Sequence, residues 1–191
     1  MSEHDTSTEV ARAVAANLRA LRARRGWSLE TLAQRSGVSK GALVALEGER
    51  GNPSLNTLCR ITDAFAVSLS DLIDAGRPTT LRRITIADAT VLWRGPSGGT
   101  GRLILSTDPP NPVELWTWRL EPGERRDSEA HAAGTQEVYL VSSGVLTVHT
   151  DGQTVTTQPG IAVTFPGTTP HSYYNEGTEP AEFLQFTTVP Q

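Results

Sequence analysis

The hydrophobic period of this chain changes once, near residue 75, and no single layer of secondary structure accommodates both periods. Val14, Leu18 and Leu21 recur at helical spacing, as do Leu29 with Leu32, Leu43 with Leu46, and Leu55, Leu58, Ile61 and Phe65. Beyond Asp74-Ala75-Gly76-Arg77-Pro78 the apolar residues alternate with polar ones at a period of two. A pattern written for one period does not settle into the other, so the chain reads as two domains in the α+β class. Residues 1–75 form an all-α domain, residues 76–80 a linker, and residues 81–191 an all-β domain. The 191 residues suffice for two small domains.

The helical half is punctuated as a five-helix unit. Gly26 stops the first helix, Ser28 caps a second, and Arg35-Ser36-Gly37-Val38 forms a turn. Ser39 caps a third helix, Asn52-Pro53-Ser54 opens a fourth, and Ser68 or Ser70 opens a fifth that ends near Asp74. In the second half the candidate strands are Arg82–Ile86, Leu103–Ser106, Val113–Leu120, Glu137–Val141, Val145–Thr150, Thr154–Thr157, Ile161–Phe165 and Ala181–Val189. Turns fall at Gly95–Gly101, Asp108-Pro109-Pro110, Asp151-Gly152 and Pro159-Gly160. Many short strands at close spacing predict a sandwich or barrel.

Charge separates the halves again. The formal net charge is −4, which excludes a uniformly basic nucleic-acid binder. Yet Arg12–Arg50 holds 8 basic and 3 acidic side chains, a local +5. A basic block in an acidic protein marks a specific surface for anions such as phosphate. The longest apolar runs are a few residues, so no membrane partner is expected. Cys59 is alone and Met1–Glu9 is polar and acidic rather than a leader, so a cytoplasmic protein is expected. Cys59 itself reads as a small packing residue.

The stretch Asn17–Ile73 carries Arg22 before Gly26, Leu32-Ala33, Gly37-Val38-Ser39, Leu43, Glu47 and Asn52-Pro53-Ser54. It resembles the lambda-repressor/Cro-like (XRE) helix-turn-helix family. The resemblance implies that the third helix enters a DNA major groove, which is about 12 Å wide and admits one helix. Carried over position by position, it places Ser39, Lys40, Gly41 and Val44 at base edges. Ser28 meets phosphate at the start of the second helix, and Arg50, Asn52 and Ser54 follow the recognition helix. It also implies that Arg22 and Glu47 pair across the first and third helices. Two departures stand out. Gly41, Ala42, Val44 and Ala45 are short and apolar, leaving Lys40 the one long donor, and Glu49 stands where the family often has glycine.

The second half holds Gly160, Pro166, His171 and Asn175 at the spacing of one motif, and Gly123, Glu129-Ala130-His131, Glu137 and Gly144 near that of another. These resemble the two motifs of the cupin family over roughly residues 102–188, which implies a jelly-roll barrel. Metal-binding members show His-x-His where Glu129-Ala130-His131 stands. Glu137 follows His131 by one residue more than the motif requires, which calls for a bulge. With Glu137 aligned without a gap, Ala130 and Ala132 or Ala133 take the ligand positions and His131 merely lines the cavity. The expectation is therefore of a barrel with no required cofactor. The alternative is a divalent metal on Glu129, His131, Glu137 and His171.

Strand alternation puts Trp116 with Trp118, Glu137 with Tyr139, and His171 with Tyr173 on shared faces. Together with His131, these seven residues suit a small organic effector, aromatic on its walls and polar at a few points. The glycine run Gly95–Gly101 superficially resembles a phosphate loop, but no helix pattern follows it, so it reads as a connector. The leading expectation is a sequence-specific DNA-binding transcription regulator, more a repressor than an activator. It binds a double-stranded operator as a homodimer under control of a small-molecule effector in the barrel. The other expectation is an enzyme resembling mononuclear-iron epoxidases of the same domain order; those place a histidine four residues before the glutamate, where this chain has Ala133.

Overall fold

The computed structural model describes residues 3–50, 53–73, 83–107 and 112–188. Asn52, the linker at 76–80, the turn at 108–110 and Val189 lie outside the described residues. The chain divides into two compact units, residues 1–83 and 84–191. None of the described helices is long and apolar enough to cross a membrane.

The first unit contains α1 (Glu3–Arg25), α2 (Leu29–Ser36), α3 (Lys40–Glu47), α4 (Leu55–Phe65) and α5 (Leu69–Ile73). Serines start four of them. Ser28, Ser39 and Ser54 accept from the backbone N–H groups of Thr31, Ala42 and Thr57. Ser68 opens α5 in a reciprocal cap, its own N–H and hydroxyl donating to the Asp71 carboxylate. Between α2 and α3 the chain turns on Gly37, at φ +67, a left-handed conformation that a side chain would strain. The apolar faces meet in one core: Leu18, Leu32, Leu43, Ile61 and Leu72 are fully buried. Each such side chain contributes about 1.5–3 kcal/mol relative to exposure.

The second unit begins with a 3-10 turn at Ile86–Asp88, where the sequence pattern suggested a strand over Arg82–Ile86. Thr85 caps that turn by accepting from Asp88 N–H, and this local bond takes precedence over the strand propensity of the segment. Ten strands follow: β1 (Thr90–Arg94), β2 (Thr100–Ser106), β3 (Val113–Leu120), β4 (Arg125–Ser128), β5 (Gln136–Ser143), β6 (Leu146–Thr150), β7 (Gln153–Thr157), β8 (Ala162–Pro166), β9 (His171–Tyr174) and β10 (Ala181–Thr188). One sheet has the order β1-β2-β3-β10-β5-β8 and the other β4-β9-β6-β7, all paired antiparallel. β1 and β4 fall outside the candidate strands, and β9 is marked in the sequence only by the alternation of His171 with Tyr173; all three are short.

The two sheets face each other across an aromatic core. Tyr173 of the smaller sheet packs edge-on against Trp118, Tyr139 and Phe183 of the larger, with ring centroids 5.2–5.5 Å apart. Register stacks the interior in rows across β3, β10 and β5. Thr187 lies opposite Glu114 and Glu137, Gln185 opposite Trp116 and Tyr139, and Phe183 opposite Trp118 and Val141. The interior is thus polar at one end and aromatic at the other, and this gradient positions the site.

Candidate functional site

In the helical unit, α3 buries Leu43 and Leu46 and turns Ser39, Lys40, Gly41 and Val44 outward. Val44 is 40% exposed, and nothing stands within 4 Å of a Cβ placed on Gly41. The four residues assigned to base edges therefore share one open face. The hydroxyls of Ser28, Ser39 and Ser54 already serve as caps, so each presents a helix N-terminus whose N–H groups point outward. Lys40 is not a free donor: its ammonium contacts the Glu30 carboxylate of α2. The sequence showed Lys40 without this partner, because the two residues are brought together only by the α2–α3 turn.

After α3 the backbone turns as the family's glycine would, although the residue is Glu49. Glu49 sits at φ +58, while Gly48 has an ordinary φ of −89. Arg50 folds back beside Gly48. Behind this face, Arg22 donates twice to Glu47, at 2.7 and 2.9 Å, and once to the Trp27 carbonyl at 3.0 Å.

In the second unit the polar end of the interior is built around Glu137, which is fully buried. Its two oxygens face different groups. Oε2 accepts from the Tyr139 hydroxyl at 2.5 Å and from the Gln185 amide at 3.1 Å. Oε1 lies 3.1 Å from His131 Nε2 and 3.4 Å from His171 Nε2. Burial by itself pushes the Glu137 carboxyl up, but the two imidazoles outweigh it and hold the group well below the usual carboxylate range. Burial, followed by the adjoining Glu137 charge, pushes the Tyr139 phenol well above its ordinary value, so it stays a donor.

The tautomer of His171 follows from its other nitrogen. Nδ1 lies 3.0 Å from the Thr169 carbonyl, which can only accept, so Nδ1 carries the hydrogen. With Nδ1–H committed to the Thr169 carbonyl, the buried His171 Nε2 meets Glu137 Oε1 favourably only as a protonated donor or, as a lone pair, through a cation between the two. His131, Glu137 and His171 each bring a ligand atom to within 4.8 Å of the others. Two ligands about 2.0–2.2 Å from one tetrahedral ion stand roughly 3.3 Å apart, close to the spacings found here. The donor set therefore fits a divalent cation.

His131 faces inward with Glu137 and His171, whereas Glu129, expected in the alternative metal set, is exposed and outside the cluster. No strand bulge absorbs the extra residue; β4 ends at Ser128, and a loop with a Thr135 N–H to Ala132 carbonyl bond takes it up. The His131 N–H donates to the Gly167 carbonyl, tying that loop to the turn after β8. In that turn a Cβ on Gly167 would press on Thr135 Cγ2 at 3.1 Å and Glu137 Oε1 at 3.2 Å.

Trp116, Trp118, Tyr139 and Tyr173 all lie buried in the interior, as alternation indicated. Trp116 donates to Glu114 at 3.1 Å, while Trp118 Nε1 is buried without a hydrogen-bond partner among the described residues. Two polar residues missed in the sequence belong to the same end, Gln185 and Thr187, joined at 3.0 Å. Their signal was present as the alternation of Phe183, Gln185 and Thr187 on one face of β10. Asn175 is a turn residue, bonded to the Leu120 and Glu179 carbonyls and the Gly177 N–H. The glycine run binds an internal anion, the Glu124 carboxylate, which accepts from Ser97, Gly99 and Glu121 N–H groups.

Residues 18–72 match the helix-turn-helix family model and residues 116–187 the cupin domain model. The chain is 27% identical over 182 residues to the HTH-type transcriptional regulator SutR of Escherichia coli (strain K12), covering 95% of this chain and 98% of that one. It is 21% identical over 155 residues to the HTH-type transcriptional regulator PuuR of the same organism, covering 81% and 83%. The crystal structure of an HTH_3 family transcriptional regulator from Vibrio cholerae superposes with a TM-score of 0.78 at 25% identity, covering 97% of this chain and 99% of that one.

Proposed function

From an XRE-type helix-turn-helix protein with a C-terminal cupin domain, homologous to HTH-type transcriptional regulators, we propose a two-part mechanism: α3 reads a DNA operator and the barrel reads a small-molecule effector. On the DNA side, Lys40, Gly41 and Val44 meet base edges, Ser28 and Ser39 present helix N-termini to phosphate, and Arg50 and Ser54 flank the same strand. One short recognition helix with a single long donor reads few base pairs. The active species is accordingly a homodimer on half-sites one helical turn apart, about 34–36 Å.

In the barrel, His131, Glu137 and His171 would hold a divalent first-row ion, which would supply a Lewis-acid anchor for the polar end of the effector. Trp116, Trp118, Tyr139 and Tyr173 pack against its apolar part. The observation that carries this reading is the convergence of ligand atoms from His131, Glu137 and His171 within 4.8 Å of one another in the interior of the barrel. The reading is of a sensor rather than an enzyme, since the relatives that span most of the chain are named as regulators.

The test uses full-length protein, first stripped with a chelator and then dialysed against Zn2+, Mn2+ or Fe2+. One retained ion per chain, abolished by His171→Ala, is the expected result. Operator affinity is then measured, on a duplex selected from a random pool, with and without the ion. No retained ion, with operator affinity the same in both states, would refute the sensor assignment.

A further inference from the structure

Glu137 is held asymmetrically, and the residues that hold it were not among those expected to touch a cation. Tyr139 is its neighbour on β5, two residues along the same face, and Gln185 lies opposite Tyr139 on β10. Both donate to Oε2, at 2.5 and 3.1 Å. The ionised carboxylate can only accept, which fixes the end of Gln185 that faces it as nitrogen, and the same nitrogen lies 3.0 Å from the Thr187 hydroxyl. Every group is buried: Glu137 and Tyr139 fully, Gln185 and Thr187 to 7% exposure. Oε1 is left facing His131 and His171 alone.

A carboxylate with one oxygen tied to two protein donors can offer a cation only the other. Freed from those donors, it would rotate and could share both oxygens with one ion, or turn out of reach. Hydrogen bonds behind ligands commonly carry 10–100-fold of metal affinity, because they remove that rotation before the ion arrives. Gln185 has a second feature. Its carbonyl oxygen is buried with no hydrogen-bond partner among the described residues. An unsatisfied buried acceptor costs about 1–3 kcal/mol, so its retention at this spot calls for a donor that arrives from outside the chain.

We infer that Tyr139 and Gln185 are positioning residues that hold Glu137 as a single-oxygen cation ligand, and that the Gln185 carbonyl accepts from an O–H or N–H group on the ion's outer ligand, either water or effector. The inference rests on the cation reading above. It adds the class of group the barrel takes beside the ion: a hydrogen-bond donor.

The experiment is a Co2+ titration of stripped full-length protein, read by visible d–d absorption, for wild type, Tyr139→Phe and Gln185→Met. Tyr139→Phe keeps the ring packing against Phe165 and Tyr173 and so folds even if Gln185→Met does not. The expected result is Co2+ binding 10–100-fold weaker in each variant. A changed d–d intensity is also expected, since the coordination number alters when Glu137 is released. Melting is recorded with and without the ion: a purely structural role lowers both temperatures together, whereas positioning shrinks the ion-induced rise. Wild type that binds Co2+ beside variants within twofold of it, with the same spectrum, overturns the inference and leaves the cation site standing. Wild type that binds no Co2+ overturns both.

Discussion

The Arg22 guanidinium and the Glu47 carboxylate form a two-point ion pair between α1 and α3, at 2.7 and 2.9 Å, with a third bond from Arg22 to the Trp27 carbonyl. The side chains are 25% and 11% exposed, between the surface limit, where such pairs contribute under about 1 kcal/mol, and the buried limit, where breaking one costs about 3–5. Glu47→Ala should therefore destabilise the helical unit by about 2 kcal/mol. Urea unfolding of the full chain followed at the helical far-UV signal checks this. A loss below about 0.5 kcal/mol would show that the pair orients α3 without stabilising it.

Glu49 occupies a left-handed backbone at φ +58, and its carboxylate makes a long, exposed contact with Arg19, at 4.0 Å. A side chain in that region costs roughly 1–2 kcal/mol. Glu49→Gly should stabilise the helical unit by about 1 kcal/mol, after the extra flexibility of the unfolded glycine is counted. The same unfolding measurement reads it, and a destabilised variant would mean that Glu49 contributes more through Arg19 than its geometry indicates.

Glu30 neutralises Lys40 at the head of α3. Lys40→Ala should weaken operator binding by about 1–3 kcal/mol if the ammonium reaches a guanine. Glu30→Gln should do the opposite, tightening binding and steepening its salt dependence by about one counterion. Fluorescence anisotropy titrations across a salt series distinguish the two. Equal slopes for wild type and Glu30→Gln would place Lys40 outside the interface.

The Glu124 carboxylate fills the space of the Gly95–Gly101 loop, where a Cβ on Gly95 or Gly99 would overlap it. Gly99→Ala should cost about 1–3 kcal/mol in the β unit, the usual range for forcing atoms into a packed site. Glu124→Gln keeps the shape but weakens charge-assisted bonds from Ser97 and Glu121, and should cost about 1–2 kcal/mol. Thermal unfolding followed by tryptophan fluorescence reports both. An unchanged midpoint for Gly99→Ala would mean that the loop is free to open.

Legible from residue order alone are the change of period that accompanies two compact units, the helices with their serine caps, and the inward faces of Trp116, Trp118, Tyr139 and Tyr173. These follow from local rules: a period of 3.6 or 2, and a hydroxyl placed to accept from the first turn. Contacts between residues far apart in the chain follow from tertiary structure alone. Spacing leaves open how His131 reaches Glu137; the loop after Ser128 brings it to 3.1 Å by a path no local rule describes. Gln185 could not be matched to Glu137 before β10 was known to lie beside β5 in that register. Lys40 looked free until the turn at Gly37 brought Glu30 to it. The glycine run read as a connector until it was seen closed on Glu124. In each case the deciding interaction is between charged or polar groups at a distance of a few ångströms. Such distances depend on strand register and loop path, whereas hydrophobic periodicity records only which side of an element faces the core.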